Sequence, residues 1–390
     1  MSMSRYQEEL DALAASGNLR RLPKIDHLDK WIVSDGERML NLSSNDYLGL
    51  AERSDWKAEF LETDEGRQSL LSSSSSRLLT GNFQEYELLE QTIARSFGRE
   101  AVLLFNSGYH ANTGILPALA GKRDLILADK LVHASIIDGL KLGEATFKRF
   151  RHNDYDQLER LLAVEREHYE TIFVVTESLF SMDGDLADLD RLVALKRYYP
   201  NVMLYVDEAH AIGVRGKRGL GLAEETGHLA DIDLLVGTFG KALASMGAYL
   251  VCSEEIRSYL INKMRPLIFS TALPPFQMAW TRFVWDRLPD LGEERERLSC
   301  TSARLAEALR GHGGEISQSH IVPWIVGDSA ACVLRAEEAR RKGFYCLPVR
   351  PPTVPVGTSR IRFSLTANVT DEEIDSLIRF LSESLNKVSS

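Results

Sequence analysis

Cysteine is scarce in this chain: four residues in 390, at Cys252, Cys300, Cys332 and Cys346. None stands in Cys-x-x-Cys spacing, so neither a disulfide framework nor a zinc site is suggested. Basic residues are not in excess either, since 46 Lys and Arg against 56 Asp and Glu leave a formal net charge of −10. That balance speaks against a nucleic-acid surface, while leaving room for a local basic pocket that takes an anionic substrate. Long uncharged apolar runs are also missing. The nearest approach, Asp233 to Cys252, carries Lys241 near its middle and three glycines, which does not suit lipid exposure. The opening residues lack the apolar run of a secretory signal, so a reduced, cytoplasmic setting is expected.

What is present is the composition of a globular protein, 44% hydrophobic and 26% charged. The length suits a large core and more than one domain. Between about residues 100 and 250, short apolar runs alternate with helical patterns. The runs are Ala101–Phe105, Leu125–Ala128, Ile172–Val175, Met203–Val206 and Leu234–Val236, with a further one at Tyr249–Val251. This alternation predicts an α/β fold, a mainly parallel sheet wrapped by helices. After Pro274-Pro275 the pattern changes to long helices and two strand-like runs, Ile321–Val326 and Arg360–Leu365. A last helix opens at the capping sequence Thr370-Asp-Glu-Glu373. The expected division is an N-terminal segment over 1–45, a large domain over 46–275 and a smaller α+β domain over 276–390. The five serines Ser72–Ser76 read as a mobile or ligand-covering loop.

In a parallel sheet, ligands collect where loops leave the carboxyl ends of the strands. Ser107-Gly108, His133, Glu177, Asp207 with His210, and Lys241 all follow a predicted strand closely. Lys241 lies in the loop between two buried runs, where lost solvation lowers an amine's pKa and makes it nucleophilic toward a carbonyl. Asp207 ends an apolar strand and is costly to bury unpaired. A protonated ring nitrogen would satisfy it, as the aspartate partner of a pyridoxal phosphate does; a strand-end turn cap is the structural alternative. Ser107-Gly108-Tyr109 marks a strand-to-helix turn whose free amides suit a phosphate, although such turns also carry Ser and Gly for capping alone. His210 reads as a ligand contact or a core histidine, and no metal spacing surrounds it.

Taken together, Asp207-Glu-Ala-His210 and Thr238-Phe-Gly-Lys241 resemble the α-oxoamine synthase family, along with Asn41–Gly49, Ser107–Tyr109, Asp129–Ser135, Thr176–Asp185 and Arg360–Thr366. The resemblance spans nearly the whole chain. It implies a fold-type-I, pyridoxal 5'-phosphate-dependent acyltransferase that condenses an amino acid with an acyl thioester and releases carbon dioxide. The segment Arg350-Pro-Pro-Thr353-Val-Pro355 with Gly357-Thr358 is similar to the branch that joins L-alanine to a pimeloyl thioester in biotin biosynthesis, with coenzyme A or an acyl carrier protein as the carrier. A sibling that joins glycine to acetyl-CoA, and a non-catalytic cofactor-binding regulator, are the alternatives. The regulator is disfavoured because no DNA-binding segment or basic patch accompanies the motifs.

The resemblance also implies roles. Lys241 would hold the cofactor covalently, Asp207 would pair with its ring nitrogen and His133 would stack on the ring. Ser181 and His210 would contact its phenolic oxygen, while Ser107, Gly108, Tyr109 and Thr238 would cradle its phosphate. Thr271 would reach the phosphate of a neighbouring subunit, which implies a homodimer with shared sites. Arg362 and Asn45 would hold the amino-acid carboxylate; Arg20 or Arg21, with Thr353, would meet the incoming acyl substrate. Four places depart from the family pattern: Ser72–Ser76 for a Ser-Gly-Gly-Ser, Tyr86 for a common histidine, Ala211 for a glycine, and Ala242 after the lysine.

Overall fold

The computed structural model describes residues 4–389, which fall into two compact units. The larger holds residues 50–181 and 186–295; the smaller holds residues up to 49, 182–185 and those from 296 on.

The larger unit is built on a seven-stranded sheet. Its strands are β1 (Ala101–Phe105), β2 (Leu125–Asp129), β3 (Thr146–Phe150), β4 (Ile172–Glu177), β5 (Val202–Asp207), β6 (Leu234–Thr238) and β7 (Ala248–Cys252), in the spatial order β1-β7-β6-β5-β4-β2-β3. The five strands from β6 to β3 run parallel, and β7 is antiparallel to both its neighbours. Apart from a half-buried Met203 in β5, the strands from β1 to β7 other than β3 are buried along their length. Both faces of such a sheet are covered, which is why these strands read as continuous apolar runs. Leu103, Ile115, Ile126, Ile136, Val175, Val236 and Leu250 belong to one core cluster on the sheet. Each such side chain stabilises the fold by about 1.5–3 kcal/mol on burial. Strand β3, Thr-Phe-Lys-Arg-Phe, escaped the sequence reading because it lies at the sheet edge and four of its five residues are exposed. Lysine and arginine there block edge-to-edge pairing.

Two helices position the site. Helix α1 (Gly108–Leu119) follows β1, with Ser107 as its N-cap accepting the His110 N–H. Helix α2 (Ala134–Leu142) follows β2, with His133 as its N-cap. The two pack closely: a Cβ added to Gly139 would lie 2.4 Å from the carbonyl oxygen of Asn112. Only a residue without a side chain allows that approach.

The run Ser72–Ser76 is hydrogen-bonded in place. Ser73 Oγ donates to the Leu273 carbonyl at 2.6 Å, the Tyr86 hydroxyl donates to the same oxygen at 3.1 Å, and the Ala272 N–H donates to Ser75 O. Tyr86 thus has a structural task that its hydroxyl performs.

In the smaller unit, Ile321–Gly327, Ser359–Ser364 and Pro348–Val349 form an antiparallel three-stranded sheet. A four-stranded sheet joins Asp26–Leu28, Trp31–Ser34, Glu37–Asn41 and Phe344–Tyr345. The capping box at the last helix forms as its sequence predicts, with Glu373 Oε2 accepting the Thr370 N–H and Thr370 Oγ1 accepting the Glu373 N–H.

Candidate active site

The carboxyl ends of β4, β5 and β6 bring the motif residues together. Glu177 and Asp207 are register partners at the ends of β4 and β5. Lys241 sits in the loop from β6 to β7, half-buried, with its Nζ 2.8 Å from His210 Nε2. That loop is braced by the Phe239 N–H on Gly247 O, the Ser245 N–H on Phe239 O, and Thr238 Oγ1 on Gly247 O. The amine and the imidazole nitrogen lie within hydrogen-bond reach, so a proton can pass between them.

Asp207 is buried and takes two donors, Asn112 Nδ2 at 2.8 Å and the Ala209 N–H at 2.8 Å. Asn112 continues into a network: its Nδ2 also reaches Ser135 Oγ at 2.9 Å, and its Oδ1 accepts from the Tyr205 hydroxyl at 2.5 Å. Ser135 Oγ lies 2.6 Å from His133 Nδ1. His133 itself is solvent-exposed in area, yet packing of its inner side pushes its pKa below the ordinary imidazole value. Asp207 pulls the other way, and Lys241 adds to the depression.

Glu177 carries the opposite shift. Burial, reinforced by the nearby Asp207 charge, raises its carboxyl well above the usual range, against a partial offset from Lys241 and the His133 backbone N–H. Its Oε1 is buried without a hydrogen-bond partner among the described residues. Two carboxyls side by side do not both ionise. The Asp207 carboxylate has two donors on it, whereas burial and its carboxylate neighbour favour the neutral form of Glu177.

Glu208, between Asp207 and His210 in the sequence, is a brace. Its carboxyl accepts from Ser178 Oγ at 2.5 Å, the Leu222 N–H at 3.0 Å and the Ala223 N–H at 2.8 Å. A side chain at Gly221, where φ is +100°, would meet this carboxyl at 2.7 Å. Burial pushes the Glu208 pKa from 4.5 up to about 7 despite the three donors. The native state therefore holds a proton that the unfolded chain has released between about pH 4.5 and 7, and stability falls as pH rises through that window. The linkage amounts to ~3 kcal/mol at most. Urea unfolding of Glu208→Gln, which stays neutral, should show this pH slope flattened; an unchanged slope would assign it to other groups.

Ser107 and Gly108 lie half-buried at the start of α1, with no side chain filling the space around Gly108; a Cβ there would meet only Thr238 Cβ, at 4.0 Å. Ser107 Oγ is spent on capping and on His110 Nδ1 at 2.8 Å. The amides of the first turn are the donors left for an anion. Tyr109 is exposed and donates its hydroxyl to Asp138. Thr238 and Ser181 are buried. Thr271 is exposed, and its carbonyl accepts from Asn106 Nδ2.

In the smaller unit, Arg362 lies in the strand Ser359–Ser364 and meets the buried Tyr47 hydroxyl. That hydroxyl also donates to Asn45 Oδ1 at 3.0 Å. Tyr47 thus joins two residues to which the resemblance gives one shared role. Arg20 donates to Thr353 Oγ1 at 2.8 Å, while Arg21 is exposed. The sequence reading assigned nothing to Asn112, Ser135, Tyr205 or Tyr47.

A family model for class I and II aminotransferases matches residues 37–381. A Pasteurella multocida protein, provisionally named 8-amino-7-oxononanoate synthase, is 56% identical over 97% of this chain and 98% of its own. The solved serine palmitoyltransferase of S. paucimobilis with bound PLP–myriocin superposes with a TM-score of 0.89 at 29% identity, covering 99% of this chain and 98% of that one. A Francisella tularensis 8-amino-7-oxononanoate synthase structure gives 0.74 at 26% identity, covering 90% and 99%. The chain belongs to the class I and II aminotransferase family, in its α-oxoamine synthase branch, and has the fold-type-I architecture. It is a pyridoxal-phosphate-dependent acyltransferase. The residues present fit that cofactor: a lysine amine, a strand-end carboxylate and an open helix N-terminus. No helix among the described residues is long and apolar enough to cross a membrane.

Proposed function

We propose that the protein condenses L-alanine with a pimeloyl thioester to give 8-amino-7-oxononanoate, carbon dioxide and the free thiol. The observation that carries this reading is the run of relatives at 54–56% identity over at least 95% of the chain, each provisionally named 8-amino-7-oxononanoate synthase. The arrangement of Lys241, Asp207, His210 and His133 supports it.

Each residue then has a task. Lys241 would hold the cofactor covalently, and its amine is the group placed to take the α-proton of alanine; His210, 2.8 Å away, can accept the proton that the amine carries. The bound cofactor supplies an electron sink, and Asp207 keeps its ring nitrogen protonated. Ser181 and His210 meet the phenolic oxygen. Ser107, Gly108, Tyr109 and Thr238 hold the phosphate. Arg362 and Asn45 fix the alanine carboxylate, and Arg20 or Arg21 with Thr353 receives the acyl donor. His133 donates a hydrogen bond to the thioester carbonyl oxygen, help that is typically worth ~10²–10⁴ in rate. The purified protein with cofactor, offered alanine plus pimeloyl-CoA and, separately, glycine plus acetyl-CoA, tests the reading. Turnover of the second pair alone would replace it with the glycine-using sibling reaction.

Arg362→Lys tests the carboxylate assignment. A point charge cannot replace a planar fork that grips two oxygens, so alanine should bind roughly ten- to a hundredfold more weakly, with little change for the acyl donor. The reverse pattern would move the role to another arginine.

The working form is a homodimer. Leu70, Leu71, Leu78, Leu79 and Phe269 are exposed apolar side chains on two segments joined by the Ala272–Ser75 and Phe276–Leu70 backbone bonds, beside Thr271. Exposed apolar side chains gathered on adjoining segments suit an interface. Sedimentation of Leu71→Asp/Leu79→Asp should show monomer where the parent shows dimer; a dimeric variant would place the interface elsewhere.

A further inference from the structure

We propose that Asn112 and Ser135 form a one-way hydrogen-bond relay that fixes His133 as its Nε2–H tautomer and ties that ring to Asp207. The polarity follows from the partners. An ionised carboxylate only accepts, so the group 2.8 Å from Asp207 Oδ2 is the amide nitrogen of Asn112. Its second N–H goes to Ser135 Oγ at 2.9 Å, and its oxygen accepts from the Tyr205 hydroxyl. Every polar atom of this amide is used, which holds it against a flip. Ser135 Oγ then accepts a hydrogen bond from Asn112, and its own hydrogen is left for His133 Nδ1 at 2.6 Å. The Ser135 backbone N–H donates to the same nitrogen at 3.2 Å. With two donors directed at it, Nδ1 presents its lone pair, and the proton of the neutral ring belongs on Nε2.

The relay is dry: Tyr205, Asn112, Ser135 and Asp207 are all buried. In such surroundings a satisfied network specifies one arrangement, and a broken one is costly. The close approach at Gly139 keeps the two helices at this spacing. Burial, with Lys241, keeps the His133 ring neutral against the pull of Asp207 and Asp138. The consequence rests on the reading of His133 as the group that meets the thioester carbonyl. That oxygen gains charge as the new bond forms, and an Nε2–H is a donor to it where the other tautomer would present a lone pair. Asn112 and Ser135 act through His133 and are positioning residues.

The test is nitrogen NMR of holoenzyme labelled with ¹⁵N-histidine, between about pH 6.5 and 8.5. The parent protein should show His133 with Nε2 protonated and Nδ1 bare. Ser135→Ala should give mixed tautomers and a condensation kcat lower by roughly tenfold, with KM for alanine and the bound-cofactor absorbance unchanged. A parent ring protonated on Nδ1 overturns the proposal without any variant, and so does a Ser135→Ala protein with the parent's tautomer and kcat. The tautomer is read without substrate, so a different acyl donor or amino acid would leave this result standing.

Discussion

Lys241→Ala is expected to remove turnover almost entirely while leaving a folded protein. The loop that carries Lys241 is held by backbone bonds, Phe239 N–H to Gly247 O and Ser245 N–H to Phe239 O, and by the Thr238 hydroxyl. None of these uses the lysine side chain. Its amine instead faces His210 Nε2 at 2.8 Å, and removing it leaves that imidazole with one partner fewer and a small space. The stability cost should therefore be modest. The functional cost has two parts. Loss of the proton carrier alone takes away ~10²–10⁴ in rate, and loss of covalent attachment adds to it. Borohydride treatment followed by mass analysis should fix cofactor to the parent chain and none to the variant, with matching far-ultraviolet spectra. Near-normal condensation by the alanine variant would sink the assignment of Lys241.

Much of this was legible in the residue pattern, for reasons that also mark where legibility ends. Strands β1, β2 and β4 to β7 are covered on both sides, so their burial writes itself as unbroken apolar runs. Strand β3 sits at an edge, and Lys148 and Arg149 hide it among polar segments. The strands Asp26–Leu28, exposed, and Trp31–Ser34, mostly half-buried, are short, and the sequence carries no periodicity there. At the site, Lys241, Asp207 and His210 announce themselves because a charge beside a buried strand is unusual. Asn112, Ser135 and Tyr205 are ordinary residues in ordinary helices and strands. What makes them a network is contact across 95 residues between Asn112 and Asp207, and across 23 between Asn112 and Ser135. Asn112 and Ser135 meet where α1 packs on α2, while Tyr205 and Asp207 come to Asn112 from strand β5. Tyr86 has the same history: its hydroxyl matters because Leu273 lies opposite.

Asp207→Asn should be the second large loss, and it separates binding from proton removal. The substitution keeps the size of the side chain but replaces an acceptor-only anion with a neutral amide. Asn112 Nδ2 and the Ala209 N–H, which now donate to the carboxylate, would face a group with a single acceptor oxygen. One of the buried donors would lose its partner, at about 1–3 kcal/mol, so some destabilisation is expected. The chemical effect is larger. An anion stabilises a protonated ring nitrogen through charge and hydrogen bond together, and an amide does so far less. Without that proton the electron sink would weaken, and the α-proton of the amino-acid substrate would lose its acidity even where the substrate still binds. Exchange of that proton in deuterated water should fall by at least ~10²-fold, while alanine affinity changes little. Glu177 sharpens the test. It lies beside Asp207 and is held neutral largely by burial and by the Asp207 charge; once that charge is gone, one source of its raised pKa disappears. If Glu177 then ionised it would partly restore the missing anion, so the double variant Asp207→Asn/Glu177→Gln should exchange more slowly than Asp207→Asn alone. Equal rates would mean that Glu177 stays neutral on burial alone, and unchanged exchange in the single variant would reduce Asp207 to a turn residue at the end of its strand.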